Sequence, residues 1–197
     1  MPRAIRLAVP IPPLAPVLPL ALALAFAAPH VQAQPSPAQA ISPRTTDFIT
    51  KLAATDAFER AAGRLAEKRS GDADIRAFGA MMVKDHTQTT DDLRQVLVKD
   101  HLPVPQSPSP DPQQAKMLAD LTAAPKGSFD RAYVQSQVTA HQQALATIQD
   151  YKANGDNADL KALASKAAPL VQHHLDMAVK FEPQVGGPPK SLTRKED

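Results

Sequence analysis

Four residues in this chain are of types that could act together: Glu59, His86, His141 and His174. In "MMVKDHTQTT", residues 81–90, His86 falls at helical spacing from Ile75, Phe78, Met82 and Leu93. His141 shares a stripe with Val134, Val138, Leu145 and Ile148, and His174 shares one with Leu170, Met177 and Phe181. Glu59 comes seven residues after Leu52 and three before Ala62, which turns it to the same side. Residues three, four and seven apart line one face of a helix. Each of four helices therefore turns one polar candidate inward near its middle. Three imidazoles and a carboxylate suit a transition metal such as zinc, iron or copper. The same groups also suit a buried polar network, bonded to one another, to water and to neighbours such as Asp85 or Tyr133, that sets the register of the helices. Both readings stand at this point.

Other chemistry finds little support. There is no cysteine, which removes disulfides, thiolate metal sites and cysteine nucleophiles. No nucleophile–base pairing, glycine-rich phosphate loop or HExxH run occurs, so the chain leans away from being an enzyme. His173 stands about 100° round the helix from His174 and is expected to be exposed. His101 is expected to end a helix, where a cation suits the negative terminus, and Asp130 to sit in a first turn. The five methionines are dispersed and read as core fillers.

Proline locates the elements that must position the four residues, because it breaks helix interiors. Ten of the 20 prolines lie in residues 1–43, six from Pro103 to Pro125 and three from Pro183 onward, leaving Pro169 alone inside a periodic segment. The gaps predict helices over Thr46–Arg69, Ala73–His101, Ser128–Lys152 and Asn157–Phe181, with a short one over Gln113–Ala123. Ser70-Gly71 and Asn154-Gly155 supply turns, while Asp72, Asp111 before Pro112, and Ser128 supply N-caps. No segment shows strand alternation. The expected fold is all-α: a four-helix bundle made of two tight hairpins, spanning residues 44–183, with 34–43 as a disordered linker and 184–197 as a disordered tail.

The connection over residues 102–127 bears on topology. Nine extended residues at ~3.1 Å each and eleven helical ones at ~1.5 Å reach about 45 Å. A 27-residue helix is ~40 Å long by the same rise. The link can therefore run the length of the bundle, as the long crossover of a ferritin-like fold does. Counting from the predicted turns, Glu59 and His86 are offset by ~6 Å and His141 and His174 by ~9 Å, close enough to meet at mid-height.

The first 33 residues read as a secretory signal peptide. Arg3 and Arg6 precede an apolar run from Leu14 to Ala28, and Val31-Gln32-Ala33 offers small residues for cleavage before Gln34. Pro16 and Pro19 keep that run short of the ~20 apolar residues a membrane span needs. The mature chain then holds 20 basic and 20 acidic residues, since the leader removes two of the 22 Lys and Arg and none of the acids. Zero formal charge argues against nucleic acid as a partner. The expected location is the periplasm or cell envelope, without a transmembrane segment after cleavage. A protein partner or a second copy of the chain stays open.

Three stretches, "MMVKDH", "FDRAYVQSQVTAHQQAL" and "APLVQHHLDMA", together with the alanine-rich helix bearing Glu59, resemble the bacterial domain-of-unknown-function family 4142. The resemblance covers about residues 44–181 and implies an exported ferritin-like bundle with no reaction attached. Distant ferritin-like relatives carry di-iron sites with Glu-x-x-His on two helices. Here Val83, Val138 and Val171 stand three residues before the histidines. The expectation is an exported, non-enzymatic helical bundle of unknown activity whose core could hold one metal ion through Glu59, His86, His141 and His174. The alternatives are a ferritin-like metal-dependent oxidoreductase and a module that binds a partner without metal.

Overall fold

The computed structural model describes residues 41–186. The leader (1–33), most of the expected linker and the tail from residue 187 lie outside the described residues. Among those described there are five α-helices and no strand: α1 (Pro43–Arg69), α2 (Ala73–Lys99), α3 (Pro112–Ala123), α4 (Lys126–Asn154) and α5 (Ala158–Phe181). None is long and apolar enough to cross a membrane.

Local chemistry sets most of the boundaries. Asp72 accepts from the backbone N–H groups of Asp74 and Ile75 to start α2, and Asn157 accepts from that of Leu160 to start α5. Asp111 and Gln114 form a reciprocal capping box on α3, with Pro112 in its first turn. Three expectations need correction. First, α1 begins at Pro43, inside the expected linker, because the Ser42 side chain caps it through Thr45 N–H and proline suits a first turn. Second, α4 begins at Lys126 and not behind a Ser128 cap. Pro125 is its N-cap residue, and the Ser128 hydroxyl donates to the Pro125 carbonyl instead. Third, His101 does not end α2. It lies beyond Lys99 with φ of 54°, a left-handed residue that turns the chain into the crossover. At the other terminus, the beginning of the expected disordered tail is a turn. Val185 packs on the core, and its carbonyl accepts from Arg131 Nε at 3.0 Å.

Two apolar cores define the direction of each helix. One gathers Phe58, Ala66, Ile75, Phe78, Phe129, Tyr133, Ala178 and Phe181. The other gathers Phe48, Leu52, Leu93, Leu97, Ile148, Tyr151, Leu160 and Val171. Helix α2 thus starts at the first core and ends at the second, and α4 does the same. The link between them carries the chain back along the molecule, with α3 laid against α1 and α4. Gln114 pins that link by donating to Thr55 Oγ1 at 3.1 Å. The hairpin partners α1 and α2 pack together, as do α4 and α5, and across the molecule α1 meets α4 and α2 meets α5. Helix α5 continues through Pro169.

The α1–α2 contact is close because it is built on glycine. A methyl group at Gly63 would lie 2.6 Å from the Gly79 carbonyl oxygen, and one at Gly79 would lie 2.7 Å from the Gly63 carbonyl and 2.8 Å from Ala66 Cβ. Backbone atoms cannot swing aside as a side chain can. Gly63→Ala is expected to lower stability by about 1–3 kcal/mol, even though alanine favours a helix interior by ~1 kcal/mol. Gly127→Ala, whose methyl meets nothing within 4 Å, is expected to be neutral or stabilising. Urea unfolding of both variants against the parent checks this.

Candidate metal centre

His86, His141, His174 and Glu59 come together between the two apolar cores, and all four are buried. The helix register explains their common level. Met82 and Val138, four and three residues before their histidines, belong to the first core, whereas Leu93 and Ala144 belong to the second. On α5, which runs the opposite way, Val171 faces the second core and Ala178 the first. The ring centroids form a near-equilateral triangle: 5.7 Å from His86 to His141, 5.6 Å from His86 to His174 and 5.4 Å from His141 to His174.

Each ring has one nitrogen held from outside the triangle. His86 Nδ1 lies 2.9 Å from Asp56 Oδ1, His141 Nδ1 lies 2.9 Å from the Gln137 carbonyl, and His174 Nε2 lies 3.0 Å from Asp85 Oδ2. An acceptor at one nitrogen fixes the tautomer, so the other nitrogen presents a lone pair. Those other atoms, His86 Nε2, His141 Nε2 and His174 Nδ1, are buried without a hydrogen-bond partner. One ligating nitrogen from each ring lies within 4.8 Å of the other two. Nitrogens bound to one tetrahedral ion at 2.0–2.1 Å stand ~3.3 Å apart, so the rings would close by about 1.5 Å at most. Three buried imidazoles at this separation, each with one unpartnered nitrogen, fit a cation.

Glu59 sits beside this triangle and is not a member of it. Its Oε2 accepts from Gln137 Nε2 at 2.7 Å, and its Oε1 lies 3.4 Å from His141 Nδ1, the nitrogen that already faces the Gln137 carbonyl. The spacing argument places all four residues at one level, and the structure brings the three imidazoles into ligating distance of one another.

Several supporting residues escaped the sequence reading. Asp56, fully buried, accepts from His86 and also from the Thr89 and Thr90 hydroxyls at 2.8 and 3.0 Å. Arg60 donates to Thr90 Oγ1 and to the His86 carbonyl at 3.1 Å. Gln137 touches both Glu59 and His141. A signal for two of them existed: Asp56 precedes Glu59 by three residues and Gln137 precedes His141 by four, the spacings that share a helix face. His173 is exposed, as its angular position predicts.

Burial and charge divide the protons among these groups. Burial alone would lower His86, but the bond to Asp56 and the charges of Glu59, Asp56 and Asp85 outweigh it, and its pKa is raised. Burial holds His141 well below the usual imidazole range, with His86 and His174 adding to the effect. Burial, then His86, pushes His174 down to about 4 against the pull of Asp85. The first proton to enter the triangle therefore rests on His86. Burial raises Glu59 to about 7, opposed by His86 and the Gln137 bond and reinforced by Asp56. Tyr133, buried with its hydroxyl unpartnered, is held well above its ordinary pKa by burial and then by Glu59 and Glu67.

Together these features define an all-helical protein with a buried, outwardly braced three-imidazole cluster. The model of the family described as "Domain of unknown function (DUF4142)" matches residues 30–181. The chain belongs to that family. No curated protein and no solved structure matches it.

The raised pKa of Glu59 has a defined effect on stability without metal. Below pH 4.5 the carboxyl is protonated whether the chain is folded or not, and its favourable contribution is complete. As pH rises the unfolded chain ionises first, and the contribution is gone once pH passes about 7. Relative to Glu59→Gln, the chelator-treated parent should lose ~3 kcal/mol over that window. Chemical denaturation at a series of pH values measures the difference, which should widen steadily with pH and then level off.

Proposed function

We propose that this protein is an exported ferritin-like four-helix bundle that holds one divalent transition-metal ion through His86 Nε2, His141 Nε2 and His174 Nδ1, without catalysing a reaction. The observation that carries the reading is the trio of buried, unpartnered imidazole nitrogens, each with its opposite nitrogen braced by a carboxylate or carbonyl. Such outer bonds orient ligating histidines and raise their basicity. Charge supports a divalent ion. Asp56 and Asp85 stand one imidazole away from the centre and together balance two positive charges. Glu59 adjoins as a third carboxyl that braces Gln137 and borders His141. Imidazole donors suit zinc, iron or copper.

The ferritin-like reading is supported by the neighbour pattern, α1 on α4 and α2 on α5, and by a crossover that spans the distance between the two cores. A di-iron oxidase reading has less support. Such sites draw on several carboxylates, whereas here the positions three before each histidine are valine. Export is inferred from the leader pattern in residues 1–33. Cell fractionation should find the chain in the periplasm with Gln34 as its first residue; a cytoplasmic chain that keeps Met1 would overturn that part.

Chelator-treated protein titrated with zinc(II), and with cobalt(II) as a coloured probe, should take up one ion per chain and unfold at higher temperature. Alanine at His86, His141 or His174 should abolish uptake, while His173→Ala and His101→Ala should bind as the parent does. Asp56→Asn should weaken binding about 10- to 100-fold. Because the ion displaces the proton held on His86, affinity should rise with pH through the His86 titration. Failure to bind zinc, iron(II) or copper(II), with stability indifferent to all three, would overturn the proposal, as would a His86→Leu variant matching the parent in both uptake and stability.

A further inference from the structure

A cavity lies between α1, α2 and the proline-rich crossover, with none of the three imidazoles in its lining. Its volume is about 400 Å³, within the range of small-molecule sites. Leu97, Val98, Val104 and Pro105 supply apolar wall, and the polar side includes two guanidinium groups, Arg60 and Arg94. No aspartate or glutamate lines it. Val98 is 59% exposed, a large apolar side chain left to solvent in this groove.

The two arginines lack acidic partners among the described residues. Arg60 spends Nη1 on the Thr90 hydroxyl and the His86 carbonyl, both uncharged, and Arg94 makes no hydrogen bond or ion pair. Among the described arginines only Arg44 meets a carboxylate, that of Asp150; what sets Arg60 and Arg94 apart is that both line one groove with an apolar wall. The nearest carboxylate to Arg60, that of Asp56, is buried behind Thr90 and takes no part in the lining; two cations beside an apolar wall are complementary to an anion that carries hydrocarbon. The groove is also preformed. The crossover wall is pinned by the α3 capping box and by Gln114 on Thr55, and Arg60 is braced from behind, so little ordering is required of the protein on binding.

We propose that this groove binds a small amphipathic organic anion, with a carboxylate-type head on Arg60 and Arg94 and a short hydrocarbon tail against Val98, Val104 and Leu97. The arginine fork matches a carboxylate in geometry as well as charge, and the tail covers apolar surface now facing water. Inorganic anions would meet only the head position. The proposal does not rest on the metal reading, because none of its ligand contacts is an imidazole of the triangle; the two places touch through Arg60, which also donates to the His86 carbonyl.

Octanoate is the probe, added to full-length mature protein with and without zinc and followed by amide chemical shifts and calorimetry. Saturable binding is expected in both states, with the largest shifts at Leu93–Val98 and Val104–Gln106. Arg94→Gln should weaken binding at least about tenfold, the scale of one charge-assisted hydrogen bond, and Val98→Asp should do so by setting a like charge in the groove. Both positions are exposed, and unchanged circular dichroism will show that both variants fold. Arg60 is left intact, since changing it would disturb His86 through Thr90 and Asp56. Octanol, octylammonium and inorganic phosphate should each bind at least tenfold more weakly than octanoate. Equal binding of octanoate by the parent and both variants, phosphate binding as tight as octanoate, or no saturable binding at millimolar octanoate would overturn the proposal.

Discussion

Three buried imidazoles within ligating distance of one another, each with one nitrogen that no protein group satisfies, are the constraint around which the rest of this molecule is arranged. An unsatisfied buried acceptor costs about 1–3 kcal/mol, and three of them share one volume here. Left to themselves the rings would rotate toward other donors. They are prevented by the outward bonds to Asp56, Asp85 and the Gln137 carbonyl, which fix tautomer and orientation together. The frustration is local and directed, and a cation or a shared proton relieves it.

Holding such a layer requires packing that does not yield. Apolar cores on both sides clamp it, with Phe58, Phe78 and Tyr133 at one end and Phe48, Leu93 and Ile148 at the other. The Gly63–Gly79 approach brings the α1 and α2 backbones together, which lets Asp56 on one helix reach His86 on the other. The crossover completes the enclosure: Gln114 reaches Thr55, one residue from Asp56, and joins the outer strap to the layer inside. Polar contacts and close helix packing thus reinforce each other, since either would loosen without its neighbour.

Electrostatics then decide which species the layer accepts. Four carboxyl or carbonyl groups surround three rings, yet burial keeps His141 and His174 neutral and leaves Glu59 only part ionised near neutrality. A single proton on His86 already offsets part of the charge of Asp56 and Asp85. On the proposed reading, exchanging that proton for a dication would complete the balance of these two charges. The groove beside Arg60 touches the same layer through Thr90 and the His86 backbone.

Much of this was determined by the sequence. Proline clusters and capping residues placed the helices, because a missing N–H and a side-chain oxygen at a helix end act locally. Helical spacing put Glu59, His86, His141 and His174 inward, because a 3.6-residue period needs no knowledge of partners. Only the tertiary structure decided what those residues meet. Asp56 reads in sequence as one more acid on an alanine-rich helix; it becomes the brace for His86 only when α1 and α2 close on their glycines. Glu59 reads as the equal of the histidines, but the helix axes set it against the far nitrogen of His141. Distances between side chains on different helices depend on how the axes pack, and packing is a property of all the helices at once.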